Sequence, residues 1–149
     1  MTSKKMTNNI NSPWPSLAVT PELLMGAARE VQFFSYSPYS HFAVGAALLL
    51  SDDNIITGCN VENSSYSLTL CAERSTIVQM VARGEKSPLA LAVVGTKGKP
   101  CYPCGACRQV LWEFNPEMIL VFENGENKLQ IVSLRELFPY PFGREDLQD

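Results

Sequence analysis

Three cysteines constrain this chain more than any other feature. Cys71 stands in Cys71-Ala-Glu73, and Cys104 and Cys107 stand in Pro103-Cys-Gly-Ala-Cys107, which begins 30 residues after Glu73. Zinc held by three protein ligands keeps its fourth position for water, whereas a structural zinc site is closed by four. Three thiolates and one open position mark a catalytic zinc, so the fold has to bring Cys71 up to the later pair. Each group falls at an expected helix start, where unpaired backbone N–H groups favour negative charge and lower a thiol's pKa.

Three thiolates overcompensate a divalent cation and leave a net charge of about −1, which makes a bound water harder to ionise. Arg74 and Arg108 each follow a cysteine motif directly and are placed to draw charge back by hydrogen-bonding sulfur. The competing reading for each is a solvated surface charge. Glu73, two residues after a ligand, can approach a metal-bound water without being a ligand, which suits a proton shuttle. Alone it would read as a first-turn glutamate favouring the helix dipole; the cysteines around it reverse that.

With 149 residues, 46% of them hydrophobic and 18% charged, the chain has enough apolar material for one domain. The charged share falls below the usual ~25%, as expected if part of the surface lies against other subunits. Twelve basic against fifteen acidic residues give a net charge of −3, which opposes binding to nucleic acid. No apolar run approaches the ~20 residues of a membrane-spanning helix. Five cysteines, an odd number, fit reduced thiols better than a disulfide framework, and a cytoplasmic location is expected.

Residues 1–16 read as a loose arm and 17–149 as the domain. Thr20 and Pro21 open a helix that should run to about residue 34. Residues 43–50 and 55–59 read as a hairpin turned by Asp52-Asp53-Asn54, and residues 89–94, 118–122 and 128–132 as further strands. Helical patterns cover residues 71–83 and 105–114, with Ile77, Val78, Val81, Val110, Leu111 and Phe114 read as core. Strands alternating with helices argue for an α/β layer structure.

At Pro38-Tyr-Ser-His-Phe-Ala-Val-Gly-Ala-Ala47, Gly58-Cys-Asn-Val-Glu-Asn63, Cys71-Ala-Glu-Arg74, Pro103-Cys-Gly-Ala-Cys-Arg-Gln-Val110 and Pro141-Phe-Gly-Arg-Glu-Asp-Leu147, the sequence resembles the small zinc-dependent cytidine deaminases of pyrimidine salvage. The broader zinc deaminase signature is His or Cys-x-Glu followed by Pro-Cys-x-x-Cys. The resemblance implies a three-layer α/β/α cytidine deaminase-like fold with a central mixed sheet of about five strands. It implies one Zn²⁺ per subunit on Cys71, Cys104 and Cys107, with Glu73 shuttling protons from a zinc-bound water that attacks C4 of the base. It places the nucleoside, cytidine or deoxycytidine, against Phe42, Asn60, Glu62, Tyr66 and Ala72. It further implies a homotetramer in which Phe142 covers the nucleoside of a neighbouring subunit. The chain departs from the common pattern at Cys101 and Tyr102, where Cys101 reads as a bystander thiol. His41, the single histidine, reads as a loop residue.

Two other enzyme readings and two non-enzymatic ones compete. A deaminase of another aminopyrimidine nucleoside, such as blasticidin S, shares the zinc chemistry, whereas a polynucleotide deaminase would need a basic path for the backbone. A ferredoxin-like cluster would need a cysteine at position 111 followed by proline, and Leu111-Trp112 stand there. A closed structural zinc module would need a fourth ligand, for which Cys59, Cys101 and His41 are available.

Overall fold

A computed structural model of the chain describes residues 13–96 and 99–148. The expected arm at residues 1–12 lies outside the described residues. Trp14, also assigned to that arm, packs against the core, and its indole N–H donates to the Val19 carbonyl at 2.6 Å.

The helix α1 (Pro21–Gln32) begins as its sequence dictates: the Thr20 side chain accepts from the Leu23 N–H, and proline takes the first turn. It ends two residues short of the expected boundary, because the chain turns at Phe33 and Phe34. There follow β1 (Gly45–Leu50), β2 (Ile55–Cys59), α2 (Ala72–Ala82), β3 (Pro88–Val94), α3 (Gly105–Phe114), β4 (Ile119–Glu123), β5 (Leu129–Ser133) and the short α4 (Leu134–Leu137).

The five strands form one mixed sheet in the order β2-β1-β3-β4-β5. All neighbours are antiparallel except β3 and β4. A parallel pair requires a crossover connection, and α3 supplies it.

Alternation along the strands sorts the layers. Ala46, Leu48 and Leu50 of β1 with Leu91 and Val93 of β3 pack with Ile77, Met80, Leu111 and Trp112 of α2 and α3. Ala47, Leu49, Ala90 and Ala92 face Leu24, Met25 and Ala28 of α1. The result is three layers, α/β/α. The α1 face of the sheet is rich in alanine, so this helix lies close, and at Gly45 an added Cβ would fall 2.0 Å from the Ala28 carbonyl oxygen.

Two expected core residues are corrected. Val78 and Val81 are 54% and 46% exposed, because the inward face of α2 carries Glu73, Thr76, Ile77 and Met80 at helical spacing. Leu111 and Ile77 are buried, and Val110 and Phe114 are partly buried against the same core.

Candidate metal centre and adjoining cleft

Cys71 is the N-cap of α2 and Cys104 the N-cap of α3, with Cys107 in the first turn of α3. Because α2 and α3 share one face of the sheet, their N-termini meet. The three sulfurs lie within 4.8 Å of one another, and Cys71 Sγ and Cys104 Sγ are 3.9 Å apart. Zinc–sulfur bonds of about 2.3 Å in tetrahedral directions separate sulfurs by about 3.8 Å, so this triangle fits zinc and the donor set suits it.

The charges around the triangle are arranged for a cation. A hydrogen bond from the Cys107 thiol, with a second from Arg74, draws the Cys71 thiol down to about 5 against the opposing effect of burial. The same bond, then burial, pushes Cys107 well above the usual thiol range. Arg74 Nη2 lies 3.4 Å from Cys71 Sγ and 3.4 Å from the Thr69 carbonyl oxygen. Arg108 is spent differently: Nε donates to the Pro103 carbonyl at 2.8 Å and Nη1 to the Leu137 carbonyl at 2.5 Å. It steadies the backbone leading into Cys104.

Glu73 is 5% exposed. Burial, foremost, raises its carboxyl from an ordinary 4.5 to about 7, the range in which a group gives and takes protons readily at neutral pH. Burial likewise lifts Cys101 to about 11, with the charges of Glu73 and Cys71 adding. Cys101 therefore sits beside the centre as a neutral thiol, outside the three-sulfur cluster. His41 lies in a loop with φ of 57°, and Cys59 is likewise outside the cluster.

Phe42 is 42% exposed, and its ring edge approaches Gly95, where Cys101 also lies. Asn60 anchors the backbone around it. Its amide donates to the Phe42 carbonyl at 2.8 Å, and its side-chain oxygen accepts from the Val44 N–H at 2.9 Å and from the Ser35 hydroxyl. Glu62 accepts the N–H groups of Tyr39 and Ser40 at 2.9 and 3.1 Å through one carboxylate oxygen. Its carboxyl is held below the usual range chiefly by the Ser40 side chain.

Glu62 and Tyr66 line an open cleft of about 330 Å³ with Tyr39, Ser40 and Thr69. Thr69 connects this cleft to the metal centre through Arg74. Ala72 is fully buried at the start of α2, where backbone N–H groups lack helical partners. Phe142 does not line the cleft. It stands on the outer side of α3, 57% exposed, with its carbonyl accepting from Gln109.

Sequence reasoning missed Tyr39, Ser40 and Thr69 as lining residues. The first two were visible within the Pro38 to Ala47 segment; Thr69 carried no signal, since its place depends on the turn from Tyr66 to Leu68.

Comparison with known proteins agrees with this geometry. The family model for the cytidine and deoxycytidylate deaminase zinc-binding region matches residues 19–123. The chain is 41% identical over 129 residues to a cytidine deaminase of Halalkalibacterium halodurans, spanning 86% of this chain and 98% of that protein. To a cytidine deaminase of Sporosarcina psychrophila it is 44% identical over 127 residues, spanning 85% and 93%. The crystal structure of cytidine deaminase from Burkholderia pseudomallei superposes with a TM-score of 0.79 at 41% identity, covering 83% of this chain and all of that one.

Proposed function

The chain belongs to the cytidine and deoxycytidylate deaminase zinc-binding family, and from that premise we propose that it hydrolyses cytidine and deoxycytidine to uridine and deoxyuridine with release of ammonia. The observation that carries this reading is the convergence of Cys71, Cys104 and Cys107 at two helix starts beside the buried Glu73. Those three sulfurs would hold zinc, which would supply the Lewis acidity that makes water a nucleophile near neutral pH.

Glu73 does the proton work. Its carboxylate takes a proton from the attacking water and delivers it to N3 of the base, then takes the second proton from the hydroxyl now on C4 and passes it to the departing amino group as the C4 carbonyl forms. Arg74, bonded to Cys71 Sγ, withdraws charge from the sulfur-rich site. Arg108 fixes the Pro103 backbone. The exposed face of Phe42 stacks on the pyrimidine, an Ala72 backbone N–H offers a donor to the base, and Asn60 and Glu62 offer the sugar hydroxyls polar partners, with Tyr66 closing the cleft wall.

The working unit is a homotetramer with shared sites, and the site of action is the cytoplasm. An exposed aromatic stretch, Tyr140 at 93% and Phe142 at 57%, supports the first, since exposed aromatic side chains in a proline-broken segment suit an interface with a partner. Five free thiols fit a reducing compartment.

The test is to incubate purified protein with cytidine, deoxycytidine, adenosine, CMP and blasticidin S and to follow ammonia. Release from the first two alone is expected. Release from blasticidin S alone would shift the substrate, and release from none would overturn the assignment.

A further inference from the structure

The tail beyond α4 runs back along α3, and three side chains of α3 hold it. Arg108 donates to the Leu137 carbonyl at 2.5 Å, Gln109 Nε2 donates to the Phe142 carbonyl at 2.8 Å, and Glu113 accepts from Arg144 Nε at 2.8 Å. Gln109 and Glu113 stand four residues apart, so they share one helix face. In the same peptide unit as the Phe142 carbonyl, the Gly143 N–H donates to Asp146 Oδ2 at 2.7 Å. The peptide that follows Phe142 is thus held at both its carbonyl and its N–H.

Its ring is nevertheless 57% exposed. A phenylalanine that merely capped its own core would gain by burying that ring; here polar bonds fix the backbone and leave the ring outside. A fixed backbone presenting an apolar ring spares the ordering cost when something binds beneath it.

We propose that Gln109 is a positioning residue for substrate binding, acting through Phe142. Its amide sets where the ring stands, and the Glu113–Arg144 pair adds a weaker second tie, as an exposed ion pair does. The proposal rests on the reading above that the Phe142 ring covers the nucleoside. It assigns that lid a support on α3, the helix that also carries Cys104 and Cys107 of its own chain.

Steady-state kinetics with cytidine on the zinc-loaded protein test this, using Gln109→Ala, Phe142→Ala and the double variant, each with its zinc content measured. Loss of one such hydrogen bond should raise KM about three- to tenfold. The turnover number should stay within about twofold and zinc content should not change, since a positioning group for binding leaves the chemical step alone. Gln109→Glu, of the same shape but without a donor, should behave like Gln109→Ala. Gln109→Lys, which restores a donor, should return KM toward the parent value.

In the Phe142→Ala background, Gln109→Ala should add nothing, because no ring remains to be placed. An unchanged KM in Gln109→Ala, an equal rise in both backgrounds, or loss of zinc would overturn the positioning role while leaving the lid reading standing. An unchanged KM in Phe142→Ala would instead overturn the lid itself, and the support falls with it. Should Gln109→Ala not fold, the Glu and Lys variants decide between the same outcomes.

Discussion

Replacing Glu73 by glutamine keeps the shape of the side chain and removes its proton, and the structure predicts two opposite consequences. In the metal-free folded protein, burial foremost raises the carboxyl from 4.5 to about 7. The folded chain therefore holds a proton that the unfolded chain has released, so stability falls as pH rises from about 4.5 to about 7. At about 1.4 kcal/mol for each tenfold change in proton affinity, the full loss above pH 7 comes to about 3 kcal/mol. Glutamine cannot ionise and avoids it.

Metal-stripped Glu73→Gln should thus exceed metal-stripped parent by about 3 kcal/mol at pH 8, or roughly 6–12 °C in Tm for a chain of this size. The gap should close below pH 4.5. The same variant, loaded with zinc, should lose about 10² to 10⁴ in turnover of cytidine. Thermal melts at pH 4 and pH 8, paired with the turnover assay, measure both. Equal Tm values at pH 8, or a gap that does not narrow on acidification, would refute the account of the buried carboxyl. Turnover within a few-fold of the parent would refute its role as shuttle.

Cys104→Ala should lose both zinc and activity, because two remaining sulfurs hold the ion poorly, whereas Cys101→Ala should keep one zinc per chain by metal analysis. Gly45→Ala should destabilise the chain by about 1–3 kcal/mol or more in urea melts, since the added methyl would meet the backbone carbonyl of Ala28 at 2.0 Å; an unchanged midpoint would show that α1 can retreat. Co-expressing Phe142→Ala with Glu73→Gln should rebuild about a quarter of the sites if two chains share each site. Activity no higher than the mean of the separate variants, in mixed oligomers, would show that each chain covers its own substrate.

The metal centre and the layer order were legible because short-range signals carried them. Thr20-Pro21, Cys71-Ala-Glu73 and Pro103-Cys104 each announce a helix start, and the observed N-caps are Thr20, Cys71 and Cys104. The hairpin turn at Asp52–Asn54 was equally plain, with Asp53 in the left-handed region at φ of 64°. Other features depend on tertiary partners. Val78 and Val81 looked like core by residue type, yet α2 turns Ile77 and Met80 inward and leaves them outside. The short α4 went unread although Ser133 and Glu136 form a reciprocal cap, a four-residue signature that was available. The bonds from Arg108 and Gln109 to the tail carbonyls join residues 29 and 33 positions apart, and no local pattern encodes such a pairing.

The central claim is that zinc on Cys71, Cys104 and Cys107 makes this chain a cytidine deaminase. Titrating zinc into metal-stripped protein while following the conversion of cytidine to uridine and ammonia tests it most directly. Activity should rise in proportion to bound metal and level off at one zinc per chain, with Cys104→Ala inactive throughout. Full turnover by the stripped protein, or a saturated zinc site that releases no ammonia from cytidine, would contradict it.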